Sequence, residues 1–376
     1  MSSPTNNPWD EFDETIPKNE KKIDIPDSVK ESGIVKSITK TNEEVGVVAD
    51  EVIEVFKNTP SYPRPDFKNK RPYMENILIL SASLIKQVID KYDQEVKACP
   101  YQLFRYYIIG DVSTLASENM IRGSFFETLI LGGGLRGKEL WDLPRKIKDG
   151  SKMADQRKIE KQALYFKQIA TAHGLEIKKN WNTQVKIYKQ LSSNIFLVGD
   201  LDIFPAIFEW TDGPFAGIID TKLTMNIFST FGDYSWGSPE YIDHIQPDVY
   251  LNLIQDIDYD LNDQFNPNNH LRHILPDQLQ RIFNDGKGRF MYWVFGWSVK
   301  EDPELLKAQF KDVERVLDST KQAELKQRLN RTVSVIKHWK EQKWPVNPDI
   351  DLCKDCALSR FKPGGTCMEA INSNKV

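Results

Sequence analysis

Asp202, Asp220 and Lys222 are the residues whose types and spacing could do chemistry. They lie in two otherwise apolar stretches, Gly199-Asp200-Leu201-Asp202 and Ile218-Ile219-Asp220-Thr221-Lys222. On a strand, side chains at i and i+2 share a face, so Asp220 and Lys222 project together. Between the stretches, Thr211-Asp212-Gly213-Pro214 reads as a turn that folds them into a hairpin and brings Asp202 beside Asp220. Adjacent carboxylates repel unless a divalent cation sits between them, and hard oxygen ligands suit Mg2+ or Mn2+. A lysine at the rim could orient an attacking water and offset charge on a phosphoryl group. Ionisable groups on an inner apolar face are costly without a use. The spacing alone is also what any amphipathic hairpin can produce.

Further residues can be attached to this core. Gln246 and Tyr250 lie four apart, on one face of a helix, where they could join the site or simply cap and pack. Glu127, in Gly123-Ser124-Phe125-Phe126-Glu127, is placed on a helix that could aim a third carboxylate at a metal. Asp200 is read as solvated or structural, and His244 as a surface residue. Trp236 and Tyr234 read best as packing, with base stacking as the alternative. Gly132-Gly133-Gly134-Leu135-Arg136-Gly137 fits G-x-G-x-x-G, but Glu139 stands where a phosphate loop needs Ser or Thr and Pro144 follows closely. It is read as a helix end and loop.

The chain has four cysteines, and Cys353, Cys356 and Cys367 crowd its end as C-x2-C-x10-C, with Cys99 far upstream. The start, Met1 to Glu14, lacks the basic and apolar segments of a secretion signal, so disulfides are not expected. A metal or iron–sulfur site is the better reading, with unrelated thiols as the remaining one.

Taken together in order, these segments resemble the PD-(D/E)xK nucleases, in particular the RecB/RecE-type branch. The matching positions are Gly123/Glu127, Gly199/Asp202, Asp220/Lys222 and Gln246/Tyr250. The stretch from Ala98 to Tyr107 and the late cysteines are similar to the segments that hold an iron–sulfur staple in AddB-like members. The resemblance spans roughly residues 80–370. It implies an α/β fold with a mixed central sheet flanked by helices, an N-terminal helical region and a C-terminal cysteine tail. It implies a Mg2+/Mn2+-dependent DNA exonuclease acting in recombination, repair or replication, with phage origin one context. Glu127, Asp202 and Asp220 would bind metal, with the Ile219 or Leu223 carbonyl as an extra ligand. Lys222 would orient the attacking water, and Gln246 and Tyr250 would steady Lys222 or the substrate phosphate. Cys99, Cys353, Cys356 and Cys367 would hold a [4Fe–4S] cluster, or Zn2+, as a structural staple. Glu127 stands where the family often has His, and the last cysteine gap is wider than usual. The rival readings are a catalytically silent DNA-binding or assembly subunit and a structure-specific endonuclease on the same fold.

The elements that must position these residues follow from periodicity. Helices are predicted from Ser81 through Tyr92, at 100–109, 119–131, 155–173 and 240–256, and along about 303–341. Strands are predicted at 183–191, 195–208, 215–223 and 289–299. A disordered acidic arm is expected over 1–42, a helix and Pro-rich linker over 43–79, the nuclease domain over 80–345 and the cysteine tail over 346–376. The net charge is −4. Residues 1–31 carry eight acids and four bases, whereas residues 136–189 hold fourteen bases against six acids. The basic segment, with Arg136, Lys138, Arg145 and Lys146, could hold a DNA backbone, and the acidic arm could dock a protein partner such as a helicase, annealing or single-strand-binding protein. The sequence has no uncharged apolar run of the roughly 18 residues a membrane span needs, and an intracellular, cytoplasmic protein is expected.

Overall fold

The computed structural model describes residues 77–109, 118–131, 154–178, 181–224, 226–230, 235–265, 271–296, 309–349, 352–353, 356–359 and 367. The chain divides into Met1–Glu44 and Val45–Val376, and every described residue belongs to the second unit. The acidic arm, residues 43–76 of the expected helix and linker, the glycine run and Arg136, Lys138, Arg145 and Lys146 lie outside the described residues.

The elements, in chain order, are β1 (Leu78–Ser81), α1 (Ala82–Val88), α2 (Pro100–Leu103), α3 (Glu118–Leu131) and α4 (Ala154–Ala172). There follow β2 (Thr183–Ser192), β3 (Ile195–Trp210), β4 (Gly213–Thr224), α5 (Ile245–Ile254), α6 (Tyr259–Phe265), α7 (Leu271–Ile274) and α8 (Asp277–Asn284). β5 (Arg289–Gly296), β6 (Gln309–Val316) and α9 (Ser319–Glu341) complete the set. The strands form one mixed sheet in the order β1-β3-β4-β5-β6, with β2 paired to β3. β1 runs parallel to β3 and β4 parallel to β5, while the β2–β3, β3–β4 and β5–β6 pairs are antiparallel.

Helices cover both faces, and alternation along the strands assigns the side chains to two layers of core. Leu84, Val249, Phe283, Leu325 and Ile336 from α1, α5, α8 and α9 pack with Leu201, Ile218 and Phe290. On the opposite face, Phe125, Phe126, Ile159 and Phe166 from α3 and α4 pack with Ile203, Ile219, Trp293 and Phe295. The expected α/β architecture, a mixed sheet flanked by helices, is the one present.

Three element predictions need correction. Leu78–Ser81 is a strand that was not predicted; only four residues long, it offers little alternation to read, and its parallel pairing with Ile195–Val198 is tertiary. The helix after it ends at Val88, and Tyr92 is 70% exposed rather than part of an apolar stripe. The long helix predicted over 303–341 divides. Residues 309–316 form an edge strand on β5, while α9 starts after Asp318, whose side chain accepts from Lys321 N at 2.9 Å. Phe310, Val313 and Leu317 suit helical spacing, but the open edge of β5 offers a full ladder, and tertiary pairing overrides local preference.

Candidate active site at a fork in the sheet

The site lies where β3 changes partner along one edge. Ile195–Val198 pair with β1, and Ile203–Trp210 pair with β4, leaving Gly199–Asp202 between the two ladders. The β3–β4 hairpin is closed by a two-residue loop between Trp210 and Gly213, the turn expected from sequence. Gly213 has φ +120, which a side chain would strain. Past Ile203↔Ile219 the ladder stops although both strands continue, so β3 and β4 splay apart. Carrying the register one residue further sets Asp202 opposite Asp220. The expected juxtaposition is therefore present.

Asp202 is 5% exposed, and its Oδ2 accepts from Thr221 N at 2.8 Å and Thr221 Oγ1 at 2.9 Å. The carboxylate thus takes over a backbone donor that the splayed ladder would leave unpaired. Both bonds land on one oxygen, so Oδ1 is left for another ligand. A register shift between Ile203 and Ala206 inserts one extra residue in β3 beside this point. Such bulges re-aim side chains near sites. Gln184, across β2 from Asp202, adopts φ +52 and is buried.

Asp220 is 1% exposed and lies on the face covered by α5. Its Oδ1 accepts from Gln246 Nε2 at 2.7 Å, and its Oδ2 forms an ion pair with Lys222 Nζ. The Lys222 ammonium also sits 5.8 Å from the centre of the Tyr292 ring. Burial pulls the Lys222 pKa down, but Asp220, then Asp202 and Tyr292, overcome this and hold it well above the ordinary lysine value. Lys222 is therefore an ammonium at neutral pH.

α5 delivers Gln246 and Tyr250 from one face, as the spacing predicted. Tyr250 is buried, and desolvation, then the Asp220 charge, pushes its phenol above the ordinary value, so it stays neutral beside Gln246. Gln246 steadies Asp220 rather than Lys222. The glycine of the G-x-x-D segment has a packing reason. A Cβ on Gly199 would lie 2.7 Å from Leu253 Cδ1 and 2.8 Å from Tyr250 Cε1, so α5 reaches β3 only across a residue without a side chain.

Glu127 is half-buried on α3, which packs on the face opposite α5. Among the described residues no three of His, Cys, Asp or Glu are gathered as a ready metal-ion set. Asp202 and Asp220 are the two carboxylates that the β3–β4 register brings together. Their donors still fit a hard divalent cation in kind, with Asp202 Oδ1 left over and Asp220 Oδ2 held by an exchangeable ammonium. Asp200 forms an ion pair with Lys186 of β2 at 3.4 Å. His244 is not a surface residue: it is partly buried, with Nε2 3.1 Å from Pro239 O, and burial followed by Arg315 lowers its pKa. Trp236 is core, edge-on to Tyr292 at 5.2 Å, while Tyr234 lies outside the described residues.

Apart from this fork, and sharing none of its residues, Cys99, Cys353, Cys356 and Cys367 line one small cavity with Tyr101, Gln102 and Leu352. The first three are buried, and none of the four is in a disulfide. Protein contacts already hold the tail to the early helix. Asn347 Nδ2 donates to Ala98 O at 2.9 Å, Phe104 stacks on Trp344 at 4.5 Å, and Lys97 pairs with Asp349. Phe104–Ile109 is a π-helix, not the plain α-helix expected. Such turns recur at functional sites. From it the Tyr106 hydroxyl lies 3.8 Å from Cys356 Sγ and accepts from Ala357 N at 2.8 Å. Four soft thiol donors line this cavity and suit Zn2+ or an iron–sulfur cluster in kind, although among the described residues they are not drawn together as a ready metal set. Thr221 and Tyr106 were not picked out from sequence: Thr221 hides between Asp220 and Lys222, and Tyr106 is one aromatic among several.

No family model matches the chain, and no curated protein matches it. Among solved structures it is similar to the crystal structure of a candidate exonuclease from Eubacterium rectale, at 12% identity and a TM-score of 0.44, covering 84% of this chain and 97% of that one.

Proposed function

We propose that the chain is a metal-dependent nuclease that hydrolyses phosphodiester bonds in DNA, acting from ends as an exonuclease. The observation that carries this reading is the buried Asp202/Asp220 pair at the fork, neutralised in part by Lys222 and held by Thr221 and Gln246. Buried carboxylates on facing strands cost folding free energy unless something compensates them.

Asp202 and Asp220 would hold one Mg2+ or Mn2+, with Glu127 from α3 and the Ile219 or Leu223 carbonyl as further donors. The ion would supply charge neutralisation at a phosphoryl oxygen and at the leaving oxygen. Gln246 fixes Asp220 Oδ1, which turns Oδ2 toward the fork. Lys222 must leave Asp220 Oδ2 for that oxygen to serve as a ligand, which frees the ammonium to donate to the attacking water or to a phosphate oxygen. Its raised pKa makes it a donor and a positive charge at neutral pH, not a base. The water proton is then lost to solvent or to substrate phosphate. Tyr250, kept neutral, holds Gln246 in place.

The basic segment 136–189 would hold the DNA backbone, so binding is expected to be salt-sensitive and nearly independent of sequence. The cysteine cavity would hold a [4Fe–4S] cluster that reinforces the tail. Zn2+ is the second reading, favoured by the width of the last cysteine gap. A role in recombination, repair or replication, with the acidic arm as one candidate element for docking a protein partner, would suit this activity. Anaerobic purification with metal analysis and a visible absorbance scan, followed by digestion of end-labelled DNA with Mn2+, Mg2+ or chelator, tests these points. Cation-dependent shortening of the labelled strand supports the reading, whereas cleavage that survives chelation contradicts it.

A further inference from the structure

The connection from β4 to α5 leaves the fork just after Lys222 and returns to it just before Gln246. Its described residues alternate between anchors and display. Ile227, Trp236 and Ile242 are buried, whereas Phe228 and Tyr241 are 66% and 61% exposed. Scattered apolar residues on a surface need no explanation. These two rings differ because the backbone around each is hydrogen-bonded in place, Tyr241 N donating to Ser238 O at 3.1 Å. Phe228 N donates to Asn226 Oδ1 at 3.0 Å and Ser229 N to Asn226 O at 3.3 Å. Gly237 N reaches Ser229 O at 2.6 Å, and a Cβ on Gly237 would lie 2.4 Å from Phe228 O. The two arms of the loop therefore touch backbone to backbone, and only glycine permits it.

The loop is also tied to the site. Trp236 packs edge-on against Tyr292, whose ring lies 5.8 Å from Lys222 Nζ. At the other end, the Tyr241 carbonyl accepts from the Lys91 ammonium at 2.5 Å, and that ammonium sits 5.1 Å from the exposed Tyr92 ring. Aromatic faces interleaved with a cation suit stacked bases on a polyanionic strand.

We propose that this connection is the base-stacking platform of the site, with Phe228 and Tyr241 taking the faces of unstacked nucleobases in a single-stranded or frayed nucleic acid. The inference rests on the phosphodiester-hydrolysing reading and names how its substrate is held. Stacking needs no particular base, so the platform reads strand state rather than sequence.

The test uses the full chain in chelator, with a single-stranded oligonucleotide carrying 2-aminopurine. Phe228→Ala and Tyr241→Ala are expected to weaken binding by about 5- to 150-fold each and to restore probe fluorescence. Phe228→Trp and Tyr241→Phe should bind as the parent does. The salt dependence should keep its slope, because no charge is removed. Unchanged melting curves would establish that the exposed-site variants fold. Alanine variants that bind and quench like the parent, or a parent that leaves the probe unquenched, would overturn the platform. A parent that quenches through these rings but cleaves nothing with Mn2+ would sink the hydrolysis reading and leave the platform standing.

Discussion

Gly199→Ala tests the coupling between β3 and the helix that orients the site. The added Cβ would meet Leu253 Cδ1 at 2.7 Å and Tyr250 Cε1 at 2.8 Å. The leucine end can rotate away. The tyrosine ring is buried on α5, with Phe290 behind it at 6.2 Å, and cannot turn freely. Restoring ordinary carbon contact near 3.5 Å needs α5 to withdraw by about 0.7 Å. Gln246 lies one turn earlier on the same helix, so its 2.7 Å bond to Asp220 lengthens toward the limit of a hydrogen bond. Overpacking of this kind costs about 1–3 kcal/mol, and a bond to a charged group contributes about 1.5–3 kcal/mol. We expect Gly199→Ala to lose about 1–3 kcal/mol in urea melts. Single-turnover cleavage should fall by about 10- to 150-fold, if the whole Gln246 bond is forfeited. Adding Tyr250→Phe should rescue neither, since the ring remains, whereas Gln246→Ala should match the rate loss without the packing loss. A Gly199→Ala protein as stable and as fast as the parent would refute the coupling.

Lys222→Met removes the ammonium that competes for Asp220 Oδ2. It should bind Mn2+ more tightly by calorimetry while cleaving DNA more slowly; weaker Mn2+ binding would contradict the exchange. Tyr106→Phe removes the hydroxyl that touches Cys356 Sγ and accepts from Ala357 N. In metal-free protein, Cys356 should then react faster with a thiol reagent, and an unchanged rate would count against a positioning role. Burial raises the Asp243 pKa, but Arg328, bonded at 2.7 and 2.8 Å, outweighs it and leaves the carboxyl below its ordinary value. A depressed carboxylate contributes stability above its unfolded value, and that stability is lost as pH falls through the folded one, so the loss lies below about pH 4. Melts from pH 7 to pH 3 should show a steeper decline for the parent than for Asp243→Asn, and parallel declines would contradict the pairing.

Some of this was legible in the residues. Asp220 and Lys222 at i and i+2, with a turn at 211–214, carry their own geometry, because strand alternation and a short hairpin leave few alternatives. Gln246 and Tyr250 share a face for the same reason on a helix. What could not be read is what depends on distant partners. Gln309–Val316 spaces its apolar residues like a helix and becomes a strand because β5 offers an edge. The splay past Ile203 and Ile219 arises from β3 pairing with β1, a strand too short to show a period. The destination of Glu127 depends on how α3 lies over the sheet, which no local pattern encodes. The role of Thr221 follows from the splay, since its backbone N–H needs an acceptor only once the ladder has opened.

The most direct test of the central claim is end-labelled DNA digestion with Mn2+ by the parent beside Asp220→Ala and Lys222→Ala, each shown to be folded. The account predicts progressive shortening by the parent alone. Cleavage that persists in both variants, or a folded parent that binds DNA and leaves it intact, would contradict it.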